Sequence, residues 1–212
     1  MTRHIMLDIE TLGTNVGAPI LSLGAVRFTL DDVPPLFKPD MNTARKSFLM
    51  GGNTDTDSFY RNISLTSNMR ADLIEITQGS VDFWLQQPDE TRLALLEHRV
   101  PLKDALSDFW KWVDAEEYEG IWAHGTTFDM PLLQEAYIAT YNQDRVPWRY
   151  RSVRDTRTLF SIAFPSTKIP EPEDLVAHNA LTDSYRQAKM VQACYERINM
   201  WRADGATQDS RE

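Results

Sequence analysis

The sequence predicts an α/β domain, with a mixed central sheet of about five strands flanked by helices. Two observations carry this. Three short apolar segments joined by turn-rich connections come first, and after about Ser80 helical spacings alternate with two further apolar segments. The composition agrees: 212 residues, 42% hydrophobic and 25% charged, describe an ordinary globular chain able to bury a core, which excludes a disordered or fibrous protein.

The first segment, HIMLDIET at residues 4–11, is apolar and closes on polar residues, so it reads as a buried strand with Asp8 and Glu10 at its carboxyl end. After LGTNVGAP, the run PILSLGAVRFTL reads as a second strand, paired antiparallel with the first. Residues 31–57 hold Pro34, Pro35, Pro39, Gly51 and Gly52 among Asp, Asn and Thr, which predicts an irregular loop or insertion. FYRNISL is the third strand. SVDFWLQQ, ETRLALLEH and LKDALSDFWKWVDAEE then space their apolar residues as helices do. EGIWAHG is a short buried strand, TTFDMPLLQEAYIATY a helix, and YRSVRDT a last strand leading into another helix. From Asn179 to about Arg202, Leu181, Tyr185, Ala188, Val191 and Ile198 form one stripe, which predicts a long closing helix. The expectation is one domain over residues 1–203 and a polar tail at 204–212 that frays.

No apolar run approaches the ~20 residues of a membrane span, and Met1 leads into a strand without a signal-peptide pattern. A cytoplasmic protein with no membrane partner is expected. Cys194 is the single cysteine and cannot form an internal disulfide; in VQACYERI it falls at helical spacing among apolar residues, so a buried structural role is expected. The net charge of −9 argues against tight duplex binding, which leaves a basic patch. It does not exclude an active site that grips one strand end, because a carboxylate-rich metal site contributes negative charge that bound cations neutralise.

Side chains two apart on a strand share a face, so Asp8 and Glu10 present adjacent carboxylates. Crowded like charges are kept where a cation compensates them, and hard oxygen donors suit Mg²⁺ or Mn²⁺. A strand-end Asp followed by a solvent-facing Glu is the plainer alternative. Asp129 follows IWAHG where a helix begins, with Pro131 suited to its first turn, and is either a metal ligand or an N-cap. Asp183 lies one turn into the closing helix if Asn179 caps it, where the helix dipole alone would also favour an acid. His178 stands five residues ahead of Asp183, and a neutral imidazole there can take a proton from an attacking water. The alternative is a histidine at a helix entry.

Taken together, DIET, HGTTFD and HNALTD stand in an order that resembles the DEDDh branch of the 3′–5′ exonucleases, whose members include polymerase proofreading subunits, ribonuclease T and phage exonucleases. In that pattern a D-x-E motif comes first, an aromatic and Asp close the second motif, and H-x-x-x-x-D is the third. The matching positions are Asp8 and Glu10, Phe128 and Asp129, and His178 and Asp183, and the resemblance spans about residues 4–190. The element order fits the ribonuclease H-like architecture of that group. VDFWLQQ, FDMPLLQEA and RDTRTL are most similar to phage exodeoxyribonucleases and bacterial exoribonucleases. One position departs: many proofreading relatives carry Asn four residues before the second-motif Asp, where this chain has Gly125 beside His124.

The resemblance implies two Mg²⁺ or Mn²⁺ ions held by Asp8, Glu10, Asp129 and Asp183, with His178 as the base. It implies a single-stranded nucleic acid bound by its 3′ end, shortened one nucleoside 5′-monophosphate at a time. The phage-like segments tilt the expectation toward DNA, with RNA as the alternative and a catalytically inactive binding module of the same fold as a further one. Backbone amides at Thr11, Leu12 and Gly13 are expected to meet the terminal nucleotide, with Leu12 against a base and Phe128 adding a stacking surface. Arg149, Arg151, Arg154 and Arg157 form the densest basic run and either track phosphates or make ordinary ion pairs. Asp155, within that run, reads as a helix cap. Trp84, Trp110 and Trp112 are candidates for core or for an interface, which leaves a homodimer open.

Overall fold

Strand β1 (His4–Thr11) lies at the centre of the sheet, and its alternation decides where the other elements pack. The computed structural model describes residues 2–31, 57–166, 168, 169 and 178–209. In it β1 pairs antiparallel with β2 (Ile20–Phe28) and parallel with β4 (Gly120–Ala123). The outer strands are β3 (Ser58–Asn62), antiparallel to β2, and β5 (Val153–Asp155), parallel to β4. The resulting order, β3-β2-β1-β4-β5, is the five-stranded mixed sheet that the sequence predicts. Nearly all of the expected loop or insertion at 31–57 falls outside the described residues.

Among the described residues the helices are α1 (Leu65–Arg70), α2 (Gln78–Gln86), α3 (Asp89–Ala94), α4 (Leu102–Asp114), α5 (Thr126–Tyr141), α6 (Thr156–Ala163) and α7 (Ala180–Asp209). Ile5, Leu7 and Ile9 of β1 point to one face of the sheet, where they meet Leu106 and Phe109 of α4 and Leu133 of α5. Met6 points to the other, toward Phe160 of α6 and Leu181, Val191 and Cys194 of α7. Asp8 and Glu10 share the parity of Met6 and therefore face α7. Cys194 is fully buried, as expected, and burial pushes its thiol up to about 11. Trp84 and Trp112 are buried, and Trp110, half-buried, packs edge-on against Tyr137.

Several boundaries differ from the sequence reading. The third strand ends at Asn62 rather than Leu65, because the Ser64 carbonyl accepts from the amides of Ser67 and Asn68 and turns the chain into α1. Helix α1, six residues long, is too short to show a periodic apolar face. It is anchored by buried Asn68, whose amide group accepts from Ile20 N and donates to Ile20 O, both at 2.9 Å. Helix α3 stops at Ala94, and His98, at φ 46°, lies in the turn beyond it. Helix α7 continues past Arg202 to Asp209, through residues that include no proline to stop it.

Candidate active site

The parallel strands β1, β4 and β5 end on one edge of the sheet, and α5 and α6 start there directly after β4 and β5. Ligand sites in open α/β sheets form at this carboxyl edge. A register shift between Glu10 and Thr11, where Leu21 is the extra residue on β2, bends the end of β1 at the first motif.

Gly24 sets the approach of the closing helix. It lies opposite Asp8, and a β-carbon there would fall 2.2 Å from the Ala180 carbonyl carbon and 2.3 Å from the Leu181 amide. Only glycine lets the start of α7 lie directly on the sheet. Ser184 ties the contact, its hydroxyl donating to Gly24 O at 3.1 Å and Ala180 O at 2.7 Å. Asn179 caps the helix as the sequence predicts, accepting from Leu181 N at 3.1 Å and Thr182 N at 3.2 Å. Asp183 is thereby held one turn in, over the β1 acids.

The structure brings all five sequence-predicted groups together. Glu10, His178 and Asp183 each offer a ligand atom within 4.8 Å of the others. Asp8 is pushed well above its ordinary range by loss of water and then by the charges of Asp129, Glu10 and Asp183, with the hydrogen bond from Gln187 opposing. Burial, then Asp183 and Asp129, raise Glu10 to about 8. Burial raises Asp129 to about 7 against hydrogen bonds from its own amide and that of Ile9 and the nearby Arg157. Asp183 is also raised by burial, despite Arg186 and His178. Carboxylates that mutually disfavour ionisation are a donor set that a divalent cation relieves, and carboxylate oxygens suit Mg²⁺ or Mn²⁺.

Asp129 is not an N-cap. Gly125 takes that position at φ 101°, a conformation that L side chains rarely adopt, and the Arg157 guanidinium lies over it, 3.2 Å from where a β-carbon would stand. The departure at Gly125 thus admits Arg157 beside Asp129. Pro131 sits inside the helix rather than in its first turn. Asp155 caps α6 through Thr158 N at 3.0 Å, as expected, and also accepts from Thr126 N at 2.8 Å, so it fastens the starts of α5 and α6 together. Burial works against its ionisation, yet these hydrogen bonds keep its carboxyl below the usual value. His124 is engaged elsewhere, its Nδ1 lying 2.8 Å from Thr156 Oγ1.

A cleft of about 500 Å³ opens beside the acids, lined by Glu10, Thr11, Thr77, Ser80, Phe83, Trp84 and Phe128 among others. Thr11 and Phe128, expected beside the terminal nucleotide, both line it. Leu12 and Gly13 do not line it: the Leu12 amide is spent on Pro19 O at 3.0 Å, and Gly13 packs against the Glu75 carbonyl. The opposite wall, from Thr77 through α2, was not foreseen. Trp84 Nε1 donates to Thr11 O at 2.8 Å, and Phe83 packs edge-on against His178 at 4.9 Å between centroids. The adjacent aromatics in VDFWLQQ were the available signal, but a helical apolar spacing equally signals core. Gln187, donating to Asp8 Oδ1 at 3.0 Å, was missed as well. The basic run does not form one track: Arg157 approaches Asp129, Arg154 bonds the carbonyls of Arg151 and Val153, and Arg151 bonds the Tyr150 hydroxyl.

The α/β fold is the ribonuclease H-like one, shared with Exonuclease I. E. coli Exonuclease I in complex with a dA16 oligonucleotide superposes with a TM-score of 0.56 at 16% identity, over 91% of this chain and 40% of that one. The zinc-bound E. coli Exonuclease I–single-stranded DNA complex gives 0.59 at 15% identity, over 93% and 41%. Exonuclease I from Methylocaldum szegediense gives 0.59 at 13%, over 93% and 41%. The chain thus spans about two fifths of the length of these proteins. No curated protein matches the sequence. Residues 3–195 match the model of the 3′–5′ exoribonuclease Rv2179c-like domain, and the chain belongs to that family. Among the described residues no helix is long and apolar enough to cross a membrane.

Proposed function

We propose that this chain is a metal-dependent 3′–5′ exonuclease that hydrolyses the terminal phosphodiester of a single strand and releases nucleoside 5′-monophosphates. The observation that carries the reading is the convergence of Asp8, Glu10, Asp129, Asp183 and His178 at one sheet edge, beside an open aromatic cleft. Family membership and the ribonuclease H-like fold support it.

Asp8, Glu10, Asp129 and Asp183 would hold two Mg²⁺ or Mn²⁺ ions. Such a pair supplies charge stabilisation to the attacking and leaving oxygens of an in-line displacement. His178, held against Phe83, accepts the proton of the attacking water. Phe83 and Phe128 offer apolar surfaces to the terminal base, and Thr11, Thr77 and Ser80 line the same cleft. Every position that catalysis requires is filled, which argues against an inactive binding module.

RNA is the substrate we place first. The family description favours it over the DNA expected from the phage-like segments, and an RNA strand offers the site a 2′-hydroxyl that DNA lacks. DNA is the second reading, supported by the likeness in fold to Exonuclease I bound to oligodeoxynucleotides. A cytoplasmic location and a homodimer stay within this proposal as expectations; sedimentation in solution checks the latter. The deciding assay uses matched 5′-labelled RNA and DNA strands, with 3′-blocked controls, in Mg²⁺ or Mn²⁺. Stepwise loss from the 3′ end, faster on RNA, is expected; intact strands of both kinds with the cation bound would overturn the reading.

A further inference from the structure

Asp183 and Gln187 stand four residues apart on α7 and therefore share the helix face turned toward the acids of β1. Gln187 Nε2 donates to Asp8 Oδ1 at 3.0 Å. Its Oε1 is buried and has no hydrogen-bond partner among the described residues. Asp8 dictates this orientation, because a flipped amide would set its oxygen against a carboxylate oxygen.

Asn68 provides a contrast within the same molecule. Its amide uses both ends on the backbone of Ile20, the pattern of a group that stabilises the fold. Gln187 spends one end on the acid and leaves the other unsatisfied, which costs stability. An apolar side chain of similar length would avoid that cost if packing were the residue's only task.

We propose that Gln187 is a positioning residue: by gripping one oxygen of Asp8 it fixes how that carboxylate is presented to the cation. The inference rests on the metal-site reading above. Partners of this kind, which orient a ligand without binding the metal, are worth about 10–100-fold in affinity or rate.

The test is calorimetric titration of the metal-free chain with Mn²⁺, alongside its melting temperature and its kcat and KM. Gln187→Met keeps the length and removes the donor. It is expected to melt at or above the wild-type temperature, to bind Mn²⁺ about 10–100-fold more weakly, and to lose kcat with KM little changed. A lower melting temperature with wild-type Mn²⁺ affinity would mean a structural role and overturn the proposal. If that variant fails to fold, Gln187→Asn, which draws the amide back by one methylene, must show the same loss of affinity, and wild-type binding there also overturns it. Asp8→Asn separates the two layers. Loss of Mn²⁺ binding in Asp8→Asn together with normal binding in the Gln187 variants defeats the role of Gln187 alone. Normal binding in Asp8→Asn defeats the metal-site reading beneath it.

Discussion

The acidic and the aromatic sides of the site are built by different means. The acidic wall is fixed by backbone: Asp8 and Glu10 by strand parity, Asp183 by a helix seated on Gly24, and Asp129 by a helix that starts at a left-handed glycine. The aromatic wall hangs on side chains, with Trp84 bonded to Thr11 O and Phe83 against His178 while remaining 38% exposed. Charges that repel one another need a frame that cannot yield, whereas a surface meant to meet a base gains from being open. Damage to the first wall should therefore abolish function, and damage to the second should weaken it.

The largest effects are expected at the acids and the base. Asp183→Ala should remove turnover together with cation binding. His178→Ala should cost about 10²–10⁴-fold in kcat while Mn²⁺ affinity and melting temperature stay close to wild type. Full activity in Asp183→Ala would discredit the site. Next comes the frame itself: Gly24→Ala forces a methyl into the backbone of Ala180 and Leu181. Overpacking of this kind costs about 1–3 kcal/mol, and the displaced α7 should weaken Mn²⁺ binding without any acid having been changed. Wild-type affinity in that variant would show that α7 does not need its close seat.

On the aromatic wall, Phe83→Ala should act mainly on KM. Loss of one stacking partner is worth about 1–3 kcal/mol. A fall in kcat with unchanged KM would instead assign Phe83 wholly to holding His178. The last effect is one of pH, read on the melting temperature of the metal-free protein and not on turnover. Glu10, raised from 4.5 to about 8, and Asp129, raised from 3.8 to about 7, bind protons more tightly when folded. Their contribution to stability is complete below the unfolded values and is lost as pH rises through about 7 to 8. The melting temperature should then fall between pH 5 and 8.5, by roughly 2–4 °C for each kcal/mol lost. Saturating Mn²⁺ should stabilise more at the upper end than at the lower.

The same contrast explains what could be read from the sequence. Strand β1 and helix α5 match their predicted residues, because an apolar run with polar ends and a long helical spacing are local signals. The four acids and His178 were legible through three short motifs. The cleft wall was not, since Phe83 and Trp84 obey the spacing of any buried helix and their partners, His178 and Thr11, are distant in sequence. The Leu12 amide, expected to meet the terminal nucleotide, is taken instead by Pro19 O, a pairing set by the turn between β1 and β2. Gln187 carries no motif at all. Its meaning exists only once α7 lies on Gly24, a contact between residues 156 positions apart.

Crystals soaked in Mn²⁺ with a nucleoside 5′-monophosphate, measured at the manganese absorption edge, test the shared cation site most directly. Anomalous peaks should lie within about 2.0–2.6 Å of carboxylate oxygens of Asp8, Glu10 and Asp183. Peaks elsewhere, with those three carboxylates free of metal at saturating Mn²⁺, would contradict the account.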